Sequence, residues 1–228
     1  MSEKPPNYID KVGFEIEGGW AGTPGISPFP DISLKREGSI NGQTLFGAKP
    51  IEAVHIGEAV SPPLNYEKDA WEEWLLSHWP DAEPKHRTNR TCGLHVHIST
   101  KSMKDYSLLS SKSFLTQLQT EMVKLGKKLN LPPKHVFWER MYGYNEFCGF
   151  DFDPAKQMRV TNGAGNRTRY GYLNYCYRLH GTIEFRALPT FRDGSIALRF
   201  ISLYFDQVNA YLASVGKVEI KRSAALVG

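Results

Sequence analysis

The most informative segment of this sequence for predicting its fold is Thr91-Cys92-Gly93-Leu94-His95-Val96-His97-Ile98-Ser99. Side chains along a β-strand point alternately to the two faces of a sheet, so this stretch presents two different faces. The apolar Leu94, Val96 and Ile98 share one face, and the imidazoles of His95 and His97 share the other. The pattern predicts a strand that buries its apolar face in a core and presents two histidines on the opposite face.

Two other segments repeat this alternation with charged side chains. They are Val12-Gly13-Phe14-Glu15-Ile16-Glu17 and Thr182-Ile183-Glu184-Phe185-Arg186-Ala187. If all three segments pair in one sheet, its polar face carries three carboxylates, two imidazoles and a guanidinium. We expect this face to bind divalent metal and a phosphorylated ligand. Mg²⁺ and Mn²⁺ prefer carboxylate oxygens, Mn²⁺ also accepts imidazole, and arginine binds phosphate oxygens in pairs.

Each motif has a simpler interpretation when it is considered alone. A Glu-x-Glu pair on a strand is most often a solvated face, and a Glu-x-Arg pair is usually an ion pair across strands. His-x-His alone is a metal ligand in only a minority of cases. Side chains at Glu15 and Glu17 lie about 7 Å apart along a strand, which suits two neighbouring metals rather than one chelate. The three motifs together favour a metal site.

Length and composition predict one globular domain. The chain has 228 residues, and we divide it into a lead-in at residues 1–10, a single domain over 11–215 and a tail over 216–228. A hydrophobic content of 41% supports a sizeable core. The net charge of +4 suits an anionic ligand but does not by itself favour nucleic acid as a partner.

The same composition predicts a cytoplasmic protein with no membrane partner. No apolar run approaches the roughly 20 residues that span a bilayer, and the N-terminus lacks the apolar core of a secretory signal. Cys92, Cys148 and Cys176 are widely spaced and form no paired-cysteine metal motif. We therefore expect reduced thiols.

Helices and further strands surround these segments. Strands are predicted at Lys11–Glu17, Ser33–Glu37, Ile51–Val60, Tyr170–Arg178 and Gly181–Pro189, and helices at Tyr66–His78, after Ser102, at Lys134–Tyr144 and at Gly194–Ser214. Asn65 is the expected N-cap of the first helix, and Ser102 with Asp105 resembles a capping box. Residues 145–168 predict a long loop that is either functional or disordered. The return of strands after helices predicts an α+β fold with a curved, mainly antiparallel sheet and helices packed on one face.

Four short motifs, in this order, resemble those of the amidoligase family. They are Gly13-Phe14-Glu15-Ile16-Glu17, Glu58-Ala59-Val60-Ser61-Pro62-Pro63-Leu64, Cys92-Gly93-Leu94-His95-Val96-His97 and Gly181-Thr182-Ile183-Glu184-Phe185-Arg186. This family belongs to the superfamily of carboxylate–amine ligases that includes glutamine synthetase and glutamate–cysteine ligase. The resemblance spans roughly residues 11–212 and implies a fold like the catalytic domain of glutamine synthetase.

The resemblance also implies an ATP-dependent ligase that forms an acyl phosphate with the help of Mg²⁺ or Mn²⁺. Glu15 and Glu17 would bind different metals, and Glu184 and His95 would share a metal with one of them. Glu58 would be a further ligand. The implied catalytic residues are Arg186, which would contact the transferring phosphate, His97, near the nucleotide phosphate or substrate, and Glu58. The implied nucleotide-binding residues are Arg186, Arg169, Asn174 and His97.

The sequence departs from the family pattern in two places, the turn at residues 37–39 and the predicted strand at Ile51–Val60. Glu37-Gly38-Ser39 stands where the family often has Asp-Gly-Ser. Glu58 shares strand parity with Val54 and Ile56, so a regular strand is expected to point it into the core. A bulge at Gly57 would turn Glu58 toward the metals.

Other functions remain open at this point. The same ligands would serve a metal-dependent hydrolase or phosphotransferase. A binding module for nucleic acid or protein would instead use basic loops such as Lys85–Arg90. For the ligase, the acid could be a small molecule, a peptide or a cell-wall precursor, with an amine as the second substrate. The oligomeric state is also open.

Overall fold

The computed structural model describes residues 6–21, 28–32, 34–35, 54–80, 88, 90–145, 148, 171–176 and 180–226, with the backbone alone at residues 21, 54 and 216–226. The predicted turn at Glu37-Gly38-Ser39, the predicted nucleotide residue Arg169 and most of the long loop at 145–168 lie outside these ranges. So does most of the strand predicted at Ser33–Glu37 and of the basic run Lys85–Arg90.

The described residues form a six-stranded sheet with the order β2-β1-β4-β6-β5, and β3 also pairs with β1. The strands are β1 Ile9–Ala21, β2 Val54–Val60, β3 Leu64–Asn65, β4 Gly93–Thr100, β5 Leu173–Tyr175 and β6 Ile183–Pro189. Every pairing among them is antiparallel. The predicted α+β class with a mainly antiparallel sheet is therefore confirmed. A fold like that of glutamine synthetase stays a prediction.

Strand β1 is longer than the sequence pattern predicts. It was expected to end before Gly18-Gly19, but it continues to Ala21. The extension pairs with β2, where Gly18 faces Gly57 and Gly19 faces Ile56. Hydrogen bonds to a neighbouring strand thus override the weak strand preference of glycine.

The register of β2 corrects the expectation for Glu58. Glu17 faces Glu58 in an unshifted antiparallel pair, and residues directly opposite each other point to the same face. Glu58 therefore shares the face of Glu17 without a bulge. The core side chain of β2 is Ala59, which is fully buried, whereas Ile56 is 38% exposed. The expectation that a regular strand points Glu58 inward is wrong, because apolar Ile56 does not mark the core face.

Helix boundaries follow local capping. The helices are α1 Lys68–Ser77, α2 Met103–Leu109, α3 Lys112–Lys128, α4 Val136–Met141 and α5 Gly194–Leu226. The N-cap of α1 is Glu67 rather than Asn65, whose side-chain oxygen instead accepts a hydrogen bond from Lys11 Nζ. Ser102 does cap α2, but the single helix predicted after it is divided, since Ser111 caps α3 by accepting from Phe114 N at 3.2 Å.

Helix α5 extends well beyond its predicted end at Ser214. Its backbone remains helical to Leu226, so residues 216–226 are helical where a tail is expected. No helix among the described residues combines the length and the apolar composition that crossing a membrane requires.

The core lies between the apolar sheet face and the helices. The ring of Phe14 on β1 lies 6.0 Å from Trp71 and 6.1 Å from Trp74 of α1, measured between centroids. Phe185 on β6 lies 4.9 Å from Tyr204 of α5. Burying such rings stabilises the fold by roughly 1.5–3 kcal/mol each. Because strand side chains alternate between faces, Glu15, His95 and Glu184 point to the face that these helices leave uncovered.

Candidate metal centre

Strand register aligns the polar residues on the uncovered face. Glu15 of β1 lies opposite His95 of β4, and His97 lies opposite Glu184 of β6. Asn174 of β5 also lies opposite Glu184. Residues at such pair positions have adjacent side chains, so groups from four strands meet in two neighbouring rows. One row holds Glu15 and His95, and the next holds His97, Glu184 and Asn174.

An irregularity in β6 brings Arg186 into the row that contains Glu15 and His95. The register between β4 and β6 shifts between Leu94 and Val96, so that Arg186 and Ala187 together oppose His95. Such a bulge lets one strand re-aim a side chain. Arg186 Nη1 contacts Glu184 Oε1 and lies 3.5 Å from His95 Nδ1.

Two groups of ligand-type side chains result, and they share one histidine. Glu15, His95 and Glu184 form the first group, and Glu17, Glu58 and His95 form the second. Within each group the candidate ligand atoms lie within 4.8 Å of one another. We call them the Glu15 group and the Glu17 group.

The His95 ring lies between the two groups with one nitrogen toward each. Its Nδ1 is 2.9 Å from Glu15 Oε2 and 3.3 Å from Glu184 Oε1. Its Nε2 is 3.9 Å from Glu17 Oε1. A neutral imidazole has one ring nitrogen free to bind a metal while the other donates its proton to a carboxylate, an arrangement common around protein-bound metals.

Burying these charged side chains costs folding free energy unless cations compensate their negative charge. Glu17, His95 and Glu184 are each at most 5% exposed. Removing several carboxylates from water is unfavourable without nearby positive charge. Arg186 supplies part of that charge, and a divalent cation would supply more.

The ionisation of the cluster suits cation binding. Burial raises the pKa of the Glu15 carboxyl, but the imidazoles of His95 and His97 outweigh burial and hold that pKa well below its usual range. Burial likewise raises the pKa of Glu184, and Arg186 with the two imidazoles lowers it below the usual value. Both carboxylates are therefore charged near neutral pH, which is the form that binds metal.

His97 lies at the edge of the cluster. Its Nδ1 is 3.1 Å from Thr182 Oγ1. Its Nε2 is 3.3 Å from Glu15 Oε1 but forms no well-aligned hydrogen bond among the described residues. Burial lowers the pKa of His97, and the charges of Glu15 and Glu184 reverse this effect and raise it.

Gly93 provides the space in which the Glu17 group sits. Its backbone N–H donates to Glu17 Oε2. A Cβ atom at this position would lie 2.8 Å from His95 Nε2 and 3.1 Å from Glu17 Oε2, which is too close for the cluster to remain in place. The hollow at Gly93 and the donor set of carboxylate oxygens and imidazole fit a hard divalent cation such as Mg²⁺ or Mn²⁺.

Three further residues support the cluster. Asn174 Nδ2 donates to Glu184 Oε2 at 2.8 Å. Cys176 Sγ lies 3.7 Å from the same oxygen, and Arg140, only 1% exposed, donates from Nη1 to Arg186 O at 3.3 Å. Sequence reasoning missed Cys176 and Arg140. The two-residue spacing from Asn174 could have indicated Cys176, but Arg140 lies on the short helix α4 and carries no such signal.

The structure thus brings together every predicted site residue that it describes. These are Glu15, Glu17, Glu58, His95, His97, Asn174, Glu184 and Arg186. Arg169 lies outside the described residues.

Comparison of the chain with protein-family models, with curated proteins and with solved structures found no match. The geometry of the cluster and the four sequence motifs are therefore the basis on which a function is proposed below.

Proposed function

We propose that this chain is an ATP-dependent carboxylate–amine ligase that uses two or more Mg²⁺ or Mn²⁺ ions. The observation that carries the proposal is the pair of ligand groups, the Glu15 group and the Glu17 group, arranged on either side of His95 with Arg186 beside them. The resemblance of four motifs to the amidoligase family supports the same function.

The proposed reaction has two steps. The acid's carboxylate attacks the γ-phosphate of ATP, forming an acyl phosphate and releasing ADP. An amine then attacks the acyl carbon, forming the amide and releasing phosphate and a proton. Bound divalent cations would neutralise the charge of the nucleotide's terminal phosphate.

The chain's own residues have distinct roles in this proposal. Glu15 and Glu184 would hold one cation, and Glu17 and Glu58 the other, with His95 between them. Arg186 would leave Glu184 to contact the transferring phosphoryl group, since a guanidinium matches phosphate oxygens in pairs. Preorganised charge of this kind is the main contribution of a protein to phosphoryl transfer.

Two supporting residues restrict motion in the cluster. Asn174 donates to Glu184 and would keep one carboxylate oxygen directed at the cation. Arg140 binds the carbonyl of Arg186 and thereby holds the bulge of β6 in position. Residues that orient metal ligands often affect metal affinity as strongly as the ligands do.

A binding module is less consistent with this geometry than an enzyme. Nucleic-acid or protein binding through basic loops would not require Glu17 and Glu184 to be buried in one cluster around His95 at the cost of desolvation. A metal-dependent hydrolase or phosphotransferase would use the same cluster, so an experiment must separate it from the ligase.

Hydroxylamine separates these reactions, because it traps acyl phosphates as hydroxamates. The purified protein is incubated with Mg²⁺, ATP, hydroxylamine and a panel of carboxylic acids. The ligase predicts hydroxamate and ADP in equal amounts, both dependent on the acid. Glu58→Gln should abolish both, whereas Glu73→Gln, on the exposed side of α1, should not. Phosphate release that is independent of any acid would favour the hydrolase. If the protein did not bind Mn²⁺, both the ligase and the metal-dependent hydrolase would be excluded.

A further inference from the structure

A cavity of about 370 Å³ opens beside the metal centre. Glu15 and His97 line the end of the cavity nearest the candidate metal ligands. Gly13 of β1, which lies opposite His97, also lines the cavity. The volume is near the lower limit for small-molecule sites, which suits a small acid better than a whole nucleotide.

Two lysines line the cavity. Lys11 lies toward the end remote from Glu15, and Lys35 lies along one side, where its backbone pairs with Glu58. Lys11 lies four residues from Glu15 on the same strand, which corresponds to about 13 Å at 3.3 Å per residue. Within the described part of the chain, neither lysine has a carboxylate within 4.0 Å, and the side-chain contact of Lys11 is to the neutral Asn65.

The middle of the cavity offers little polar recognition. Val60 and Pro63 contribute apolar wall. The hydroxyl oxygens of Ser61 and Ser99 already accept hydrogen bonds from the backbone of β1, from Phe14 N at 2.8 Å and from Lys11 N at 3.0 Å. A ligand would therefore find charge at its two ends and mainly apolar contact between them.

We propose that this cavity binds the acid substrate, and that the acid carries a second anionic group at the end remote from the metals. The proposal rests on the proposed ligase function. The lysines would repel an amine substrate, and no carboxylate among the described residues lies close enough to neutralise them. After allowance for the reach of the lysine and glutamate side chains, the 13 Å span leaves room for a chain of roughly four to six carbons between the two anions.

Gly13 offers a way to narrow the cavity without moving the strand. A Cβ atom at this position would lie 3.5 Å from Ser61 Oγ and 3.6 Å from His97 Cβ, which are ordinary van der Waals contacts. Gly13→Ala should therefore fold normally and place a methyl group in the cavity. Lys11→Met and Lys35→Met remove the charges while keeping most of the side-chain length.

The experiment compares three probes of similar length with the Mg²⁺-loaded protein by ligand-observed NMR titration. They are adipate, with two carboxylates, hexanoate, with one, and hexylamine, with a cation. Adipate should bind about tenfold more tightly than hexanoate, and hexylamine most weakly. The Lys11→Met/Lys35→Met double variant should bind adipate no better than hexanoate, while Lys104→Met, an exposed lysine on α2, should behave as the wild type.

Gly13→Ala should weaken both acids by about tenfold and leave Mn²⁺ binding unchanged. Adipate that binds no more tightly than hexanoate, including failure of both to bind, would overturn the inference, as would a preference for hexylamine. The two proposals fail in different ways. Adipate preference without hydroxamate formation would contradict the ligase alone, and hydroxamate formation without adipate preference would contradict the cavity assignment alone.

Discussion

Arg186 Nη1 lies 3.5 Å from His95 Nδ1, on the side of the ring that faces Glu15 and Glu184. The guanidinium also contacts Glu184 directly. Burial lowers the pKa of Arg186, but Glu184, Glu15 and Glu17 raise it above its usual value, so it stays charged. The Glu15 group therefore already contains a guanidinium in contact with one of its carboxylates. The guanidinium nearest the Glu17 group is that of Arg140, which lies beside Gly93 and has no direct contact with Glu17 among the hydrogen bonds and ion pairs of the described residues.

This asymmetry predicts that the two metal positions differ in affinity. Without nucleotide, the Glu17 group should bind Mn²⁺ first, and the Glu15 group about tenfold more weakly because Arg186 repels a second cation. Arg186→Met should strengthen the weaker site. Electron paramagnetic resonance titration with Mn²⁺ measures both affinities, with Arg199→Met, an exposed arginine on α5, as the control. Two equal sites in the wild type would contradict this expectation.

Cation binding should also stabilise the fold, because it compensates the buried carboxylates. Mn²⁺ at about 100 times its dissociation constant should add about 2.7 kcal/mol, which corresponds to a rise in Tm of roughly 5–10 °C for a chain of this length. Differential scanning calorimetry with Mn²⁺ and with EDTA gives the shift. Glu58→Gln should lose most of it and Glu73→Gln none; an equal shift in both variants would place the cation elsewhere.

Gly93 and Gly13 allow the same substitution to be tested at two positions with opposite expected results. At Gly93 a methyl group would lie 2.8 Å from His95 Nε2 and 3.1 Å from Arg140 Nη1, so Gly93→Ala should destabilise the protein by about 1–3 kcal/mol and weaken Mn²⁺ binding. At Gly13 the contacts are ordinary, and Gly13→Ala should change neither quantity appreciably. Urea unfolding and Mn²⁺ titration of both variants provide the comparison. If Gly93→Ala bound Mn²⁺ as the wild type does, the hollow would have no role.

The free energy of unfolding should fall in alkaline solution, because several buried thiol and phenol groups stay neutral in the folded protein but ionise in the unfolded chain. Burial raises the pKa of the Cys148 thiol from 9.0 to about 11, and burial also raises the pKa values of Tyr172 and Tyr204. The unfolded thiol ionises near pH 9.0 but the folded one only near pH 11, so its contribution is complete below pH 9 and is lost between pH 9 and 11. The loss from Cys148 amounts to about 2–3 kcal/mol.

Urea unfolding at pH 8, 9, 10 and 10.5 measures this loss. Cys148→Ala is less stable at pH 8 because it leaves a cavity, but its stability should decline less steeply with pH than that of the wild type. A steeper decline in the variant would mean that other groups dominate the alkaline range.

Sequence patterns predicted the local features of this fold well. The alternation of Leu94, Val96 and Ile98 with His95 and His97 predicted both faces of β4, because strand periodicity depends on the backbone alone. On α5, Ala197, Ile201 and Tyr204 recur at helical spacing, and all three are fully buried.

Errors arose where a neighbouring segment determined the outcome. Asn65 has a suitable side chain for an N-cap, but Lys11 engages it, and α1 begins at Lys68 without a side-chain cap. The orientation of Glu58 could not be derived from β2 alone, since Ile56 is apolar and yet exposed. In both cases the deciding contact comes from β1.

Residue order alone sets which side chains share a face within each strand, and hence that carboxylates, imidazoles and a guanidinium lie opposite the core. Which of these groups meet depends on how the strands pair in the fold. The register of β1 with β4 puts Glu15 against His95, and the register of β1 with β2 puts Glu17 against Glu58. Side-chain alternation is a property of one strand, whereas register depends on contacts between segments that are far apart in the chain.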